Sequence, residues 1–206
     1  MTTLLKINSS LFAGNGQSSQ LTDKFVAAWT KANPQTEVKV RDLAAEPVPH
    51  LDGERFGAFL AKPEDRNAEQ QAVIDFSDAL INELRSADAI VLGLPMYNFG
   101  IPSTLKAYFD HIARAGVTFR YTENGPVGLL TGKKVYVLAA RGGMYAGTAR
   151  DSQTSYVRDF LGFLGMTDVE FVYAEGLAMG DAPKQEALTN AGAVIRQLAE
   201  PLRSAA

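Results

Sequence analysis

Two spacings of hydrophobic residues alternate along the chain, and these patterns predict strands and helices in turn. Residues Ala89–Leu94 form a continuous apolar run, as expected of a parallel strand covered on both faces. Around Val38 and Val40, apolar and polar residues alternate, which predicts a less buried strand. The pattern predicts strands at Thr3–Asn8, Glu37–Leu43, Ala89–Leu94, Lys134–Ala140 and Val169–Ala174. It predicts helices at Ser18–Asn33, Asn67–Ser86, Pro102–Arg114, Ser152–Leu164 and Lys184–Ser204, with a short helix at Glu54–Leu60 in the long loop Glu46–Arg66.

Five strands separated by helices predict an α/β fold: one domain over residues 1–206, with a five-stranded parallel sheet and helices on both faces. The alternation of strands and helices is interrupted at residues 116–132, GVTFRYTENGPVGLLTG, which contain β-formers and an Asn-Gly-Pro turn. We therefore expect a hairpin-like excursion there. Ligands of such sheets bind beyond the carboxyl ends of the strands. The loops to inspect are therefore 9–17, 95–101, 141–151 and 175–182.

Composition and charge narrow the function classes. A net charge of −3 argues weakly against nucleic acid or an anionic membrane as partner, and no apolar run reaches the roughly 20 residues of a membrane span. Since we find no signal peptide, a cytoplasmic protein is the default expectation. The sequence has no Cys and only two His, so we predict no metal site. Any redox chemistry would have to use an organic cofactor.

The loop at residues 8–20, NSSLFAGNGQSSQ, joins the first predicted strand to a helix. Gly14 and Gly16 permit a sharp turn, and serine hydroxyls and free helix amides could hold a phosphate. It matches neither the dinucleotide fingerprint nor the Walker loop, since Ser19 replaces the third glycine and no Gly-Lys-Ser/Thr occurs. A plain Gly/Ser turn with a serine cap remains an equal alternative.

Two aromatic residues and an amide occupy the loop PMYNFG, residues 95–100, between a strand and a helix. Exposed aromatics at such a place need a partner or a ligand to cover them, unless they fold back into the core. Gly142 and Gly143, after the next strand, would allow close approach of a flat molecule, although a flexible loop is the simpler interpretation there. At one edge of the sheet, a loop suited to binding a phosphate and two loops suited to binding a planar ring together fit FMN.

Several segments resemble the FMN-dependent NADH-azoreductases: PMYNF (95–99), RAGVTFRYTENGPVGLLTGKK (114–134), RGG (141–143) and FLGFLGMTDVEFVYAEG (160–176). The resemblance covers essentially the whole chain. It implies a flavodoxin-like, homodimeric reductase of quinones and azo compounds, with NADH or NADPH as donor. The implied FMN-binding residues are Ser10, Gly16, Gln17, Ser18, Pro95, Met96, Tyr97, Asn98, Phe99, Arg141, Gly142 and Gly143. The resemblance places Tyr121 and Phe163 at the substrate face, partly from the partner subunit, and Tyr145 is a further substrate-binding candidate as a polar contact to the acceptor.

Gly16 and Ala140 depart from the family, where serine is common at both positions, and residues 144–151 are also unlike it. The resemblance implies hydride transfer to and from one flavin face, hence ping-pong kinetics with no indispensable side-chain acid or base. Two alternatives stay open. One is a flavodoxin-type electron carrier without its own substrate pocket, although the chain lacks a carrier's strongly acidic character. The other is a flavin-free regulatory α/β protein.

Overall fold

The computed structural model describes residues 2–200, in which strands and helices alternate much as the sequence pattern predicts. The strands are β1 (Thr3–Asn8), β2 (Glu37–Asp42), β3 (Ala89–Pro95), β4 (Phe119–Thr122), β5 (Gly125–Gly128), β6 (Lys134–Ala140) and β7 (Asp168–Ala174). The helices are α1 (Gln17–Ala32), α2 (Gly53–Leu60), α3 (Ala68–Ser86), α4 (Ser103–Ile112), α5 (Thr154–Phe163) and α6 (Asp181–Leu198). Single 3₁₀ turns lie at Ala13–Asn15 and Pro63–Asp65.

Five parallel strands form the main sheet in the order β2-β1-β3-β6-β7. This is the flavodoxin-like order, so the fold prediction is confirmed. Alternate residues of the central strands enter two separate cores, as with Ile90 and Val91 of β3. Helices α3, α4 and α5 pack on one face of the sheet, and α1 and α6 on the other. The half-buried residues of β2 match its position at the sheet edge.

The predicted excursion is an antiparallel hairpin formed by β4 and β5, apart from the main sheet. It is fixed against the end of α5, where a Cβ atom on Gly128 would overlap the backbone of Gly165. The amide of Leu130 also donates to the carbonyl of Leu164, at 2.8 Å. The hairpin therefore has a defined position on the domain.

The closing helix differs from its predicted bounds. It begins at Asp181 rather than Lys184, because Pro183 falls in the first turn, where its missing N–H costs no helical hydrogen bond. It ends at Leu198, and residues 201–204 of the prediction lie outside the described residues. Among helices in residues 2–200, none has both the length and the apolar character to cross a membrane.

Strands β1 and β3 are neighbours, but the chain leaves them toward opposite faces of the sheet, which opens a crevice at their carboxyl ends. The start of α1 packs closely on β3, since a Cβ atom on Gly93 would lie 3.2 Å from the carbonyl oxygen of Ser18. Ser9 Oγ donates to the carbonyl of Gly93 at 2.7 Å. These contacts fix the first turn of α1 beside the crevice.

Candidate active site

A cavity of about 210 Å³ opens in this crevice, at the edge chosen from the sequence. Loops after β1, β3, β6 and β7 all contribute to its walls. Its lining residues are Ser10, Phe12, Gly16, Gln17, Ser18, Pro95, Met96, Tyr97, Ala140, Arg141, Gly142, Leu177 and Ala178.

One end of the cavity is the N-terminus of α1. The first hydrogen bond of the helix runs from the amide of Gln20 to the carbonyl of Gly16, so the amides of Gln17, Ser18 and Ser19 lie before the helical ladder. The hydroxyls of Ser18 and Ser19 are buried and have no hydrogen-bond partner within residues 2–200. Free amides, a positive dipole end and unpaired hydroxyls together suit an anion.

Gly16 is needed beside Ser10. A Cβ atom at position 16 would lie 2.6 Å from Cβ of Ser10, closer than real side chains approach. A serine at this position would therefore require Ser10 to move. In this chain, Ser10 occupies that space, and its Oγ accepts from the amide of Phe12 at 3.2 Å.

The loop after β3 forms a tight two-residue turn. The amide of Tyr97 donates to the carbonyl of Gly100 at 3.2 Å, and the amide of Gly100 donates back to Tyr97 at 3.0 Å. The central residues, Asn98 and Phe99, have φ values of 50° and 64°, which is the left-handed region that favours glycine. Since the turn uses the amides of Tyr97 and Gly100, those of Asn98 and Phe99 take no part in its hydrogen bonds.

The Arg141 side chain faces away from the cavity, into a buried polar cluster. Its guanidinium donates to Asp151 at 2.8 Å, to Glu175 at 3.1 Å and to Thr154 at 3.1 Å, and lies 5.1 Å from the centroid of the Tyr173 ring. Arg141 is only 1% exposed. The family resemblance places Arg141 among the cofactor ligands, but both terminal nitrogens of its guanidinium are engaged by this cluster, and Nε is buried without a partner within residues 2–200.

Opposite charge keeps the Asp151 carboxylate ionised. Burial alone would raise its pKa, but hydrogen bonds from Arg141 and Thr154 outweigh that effect and lower the pKa below its usual 3.8. Asp151 Oδ1 also accepts from the amide of Thr154 at 3.0 Å, which caps the start of α5. The ion pair thus joins the end of β6 to the start of α5.

Glu175 extends the cluster to the loop after β6. Its Oε1 accepts from the amides of Tyr145 and Ala146, both at 2.9 Å, as well as from Arg141. The Tyr145 ring covers Gly143, where a Cβ atom would lie 2.6 Å from the Tyr145 hydroxyl, and packs edge-on to Phe99 at 5.6 Å. Tyr145 and Phe99 therefore join the loop after β6 to the loop after β3, and neither lines the cavity.

The structure brings together most, but not all, of the predicted site residues. Asn98, Phe99 and Gly143 belong to the loops that border the cavity without lining it. Tyr121 and Phe163 lie in a different cluster, where each ring packs on Phe119, at 5.5 and 4.3 Å. Sequence reasoning missed Phe12, Leu177 and Ala178 as lining residues, and noted Ala140 only as a departure from the family. An exposed aromatic in the first loop and the position of the last loop were the available signals.

A larger groove of about 930 Å³ lies between α2 and α3, lined by residues such as Asp52, Arg55, Glu69 and Phe76. It shares no lining residue with the cavity at the sheet edge. We assign the site to the smaller cavity, because among the described residues only that one is lined by a buried hydroxyl without a hydrogen-bond partner, that of Ser18.

Comparison with known proteins agrees with this fold and site. The family model described as "Flavodoxin-like fold" matches residues 2–199. The chain is 60% identical over 197 residues to an FMN-dependent NADH:quinone oxidoreductase of Cellvibrio japonicus, covering 96% of this chain and 98% of that protein. A Burkholderia thailandensis protein of the same name is 58% identical over 195 residues, with 95% and 98% covered.

Solved structures agree as well. A crystal structure of azoreductase from Bacillus anthracis superposes with a TM-score of 0.89 at 30% identity, covering 97% of this chain and 99% of that one. An FMN-dependent NADH-azoreductase of the same organism, in complex with FMN, superposes with a TM-score of 0.88 at 29% identity, covering 97% and 98%.

Proposed function

Because this chain belongs to the flavodoxin-like family of FMN-dependent NADH:quinone oxidoreductases, we propose that it is such an enzyme, with a single FMN-binding domain. It takes electrons from NADH and reduces quinones, and it accepts azo compounds as an accessory activity. The observation that carries the proposal is the buried hydroxyl of Ser18 at the start of α1, which has no partner within residues 2–200, on a residue that lines a largely apolar cavity.

The residues at both ends of the cavity fit FMN. Ser10, Gln17 and Ser18 would hold the phosphate without any positive side chain, and the α1 dipole would supply the favourable field. Met96 and Tyr97 would lie on one side of the flavin ring system, with the Gly142 backbone at its edge. Bulkier side chains at Ala140 and Ala178 would narrow this space.

FMN, when bound, supplies the two-electron redox chemistry that amino-acid side chains lack. The residues of the chain bind it and orient it. Tyr97 and Arg141 are the lining residues with titratable side chains, and the Arg141 guanidinium is already paired with carboxylates. We therefore propose that this enzyme acts by placing its two substrates in turn against the bound cofactor, without a side-chain general acid or base.

We propose further that the enzyme works as a homodimer. Tyr121 is 74% exposed on one face of the hairpin, and Val127, which pairs with Arg120, is exposed on the other face, followed along the chain by exposed Leu129. Such an apolar surface is usually covered by a partner. A second copy would bring Tyr121 and Phe163 of one subunit toward the cavity of the other, which would give both a role in substrate binding. A reaction that draws on NADH fits a cytoplasmic location.

Steady-state kinetics test the proposed function. Under anaerobic conditions, purified protein loaded with FMN should oxidise more than one equivalent of NADH per flavin only when a quinone is added. Double-reciprocal plots at several quinone concentrations should give parallel lines, since donor and acceptor would take turns at one site. Failure to bind FMN, or NADH oxidation that does not respond to quinone, would contradict the proposal.

A further inference from the structure

The side chain of Gln153, directly before α5, is fully buried and does not cap its own helix. It forms hydrogen bonds with another loop instead. Asp151 caps the start of α5 instead, through the amide of Thr154. The Gln153 side-chain nitrogen donates to the carbonyl of Pro95 at 2.9 Å and to the carbonyl of Gly100 at 2.8 Å. These two carbonyls mark the two ends of the loop after β3, so one amide group joins both ends.

The loop held in this way has an unfavourable backbone. Asn98 and Phe99 both have positive φ, and a tight turn of this kind favours glycine at the second position, where this chain has Phe99. Such conformations persist only where the surroundings determine them, and they cluster at ligand sites. Ser152 adds a further contact, since its Oγ donates to the carbonyl of Phe99.

The chemistry at this position requires a double donor. A primary amide has two N–H hydrogens, one for each carbonyl. Pro95 and Gly100 both present carbonyl oxygens, which can only accept, so the side-chain nitrogen of Gln153 must face them. The side-chain oxygen of Gln153 has no partner within the described part of the chain. A carboxylate of the same shape would oppose two carbonyl oxygens, and a thioether would donate to neither.

We propose that Gln153 is a positioning residue for FMN, acting through the turn 95–100. It holds that turn in the conformation that presents Met96 and Tyr97 to the flavin ring. The Arg141–Asp151 ion pair anchors the segment that carries Gln153, so one buried cluster supports the loops on both sides of the cavity. This inference rests on the proposed function, because it assumes that FMN binds in this cavity.

The test replaces Gln153 with methionine, which keeps length and volume but donates no hydrogen bond. Gln71→Met, on the exposed face of α3, is the matched control. We expect FMN to dissociate from Gln153→Met on the order of tenfold to a hundredfold more readily, since two buried hydrogen bonds are lost. The visible circular dichroism of bound FMN should change in Gln153→Met and stay unchanged in Gln71→Met.

A purely structural role predicts a different result. Gln153→Met would then lower the midpoint of urea unfolding, while the FMN dissociation constant and the circular dichroism of bound FMN stayed at wild-type values. That result would overturn the inference and leave the proposed function standing. Wild-type protein that binds no FMN would contradict the proposed function itself.

Two further tests address the turn itself, and the first leaves Gln153 unchanged, so it stays decisive if Gln153→Met does not fold. Ser152→Ala, at an exposed position, removes only the contact to Phe99 and should weaken FMN binding by about threefold. In a Phe99→Gly background, Gln153→Met should cost less FMN affinity than in wild type, because glycine adopts positive φ without strain. Wild-type affinity in Ser152→Ala, or an equal cost in both backgrounds, would refute the role of the turn.

Discussion

The hydroxyl of Tyr97 lies 3.3 Å from Oγ of Ser10, which joins the loop after β3 to the loop after β1. The same hydroxyl accepts from the amide of Leu11, also at 3.3 Å. Both distances exceed the usual range for good hydrogen bonds, so each contact is weak. Together they connect the proposed ring-binding and phosphate-binding ends of the cavity.

Tyr97→Phe removes this connection and keeps the ring. We expect FMN to bind about threefold more weakly, the lower end of what a net hydrogen bond contributes. Quenching of FMN fluorescence on binding measures the effect. Tyr156→Phe, remote from the cavity lining, is the matched control and should bind FMN like wild type. Equal affinities of Tyr97→Phe and wild type would show that the connection does not matter for binding.

Ser18→Ala removes the buried hydroxyl at the start of α1 that has no partner within residues 2–200. If that hydroxyl donates to the FMN phosphate, its loss should cost about 1–3 kcal/mol of binding free energy, as expected for hydrogen bonds to charged groups. The effect should be absent with riboflavin, which has the same ring and no phosphate. Ser86→Ala, at an exposed position on α3, is the control. Unchanged FMN affinity in Ser10→Ala and Ser18→Ala combined would exclude this phosphate site.

The Asp151 carboxylate makes stability depend on acidic pH. Because its pKa is lower in the folded state than its ordinary 3.8, its contribution is complete above that value and is lost as pH falls through the folded-state pKa. The free energy of unfolding of wild type should therefore fall more steeply below about pH 4 than that of Asp151→Asn. Urea unfolding at a series of pH values measures the free energy of unfolding of both proteins. Glu186→Gln, at an exposed position on α6, is the control. If the unfolding free energies of wild type and Asp151→Asn fall in parallel with pH, the proposed role of the Asp151 carboxylate is contradicted.

The proposed dimer predicts a specific effect at the hairpin. Val127 is 42% exposed on β5, and Val194 is 41% exposed on α6, so the two make a matched pair. We expect wild type and Val194→Glu to sediment as dimers at micromolar concentration, and Val127→Glu to dissociate, because a charge in an apolar interface is costly. A fully active wild-type monomer would contradict the proposal.

The sheet and the edge of the site could be predicted because they depend on local pattern. The apolar run Ala89–Leu94 identifies a central strand, and alternating strands and helices determine where ligands bind. The role of the Arg141 side chain could not be predicted, since its partners Asp151 and Glu175 are 10 and 34 residues away. Nor could the turn at Asn98 and Phe99, because the sequence has no glycine at the positions with positive φ. Its stabilising partner, Gln153, is distant along the chain.

The central claim is that this chain transfers electrons from NADH to quinone through its own FMN. Anaerobic stopped-flow mixing of FMN-loaded protein with NADH tests it most directly. The account predicts that the visible absorption of the bound flavin is lost on mixing and returns when one equivalent of quinone is added, with no other protein present. If NADH leaves that absorption unchanged, and bleaching requires a separate reductase, the chain is an electron carrier and the account is wrong.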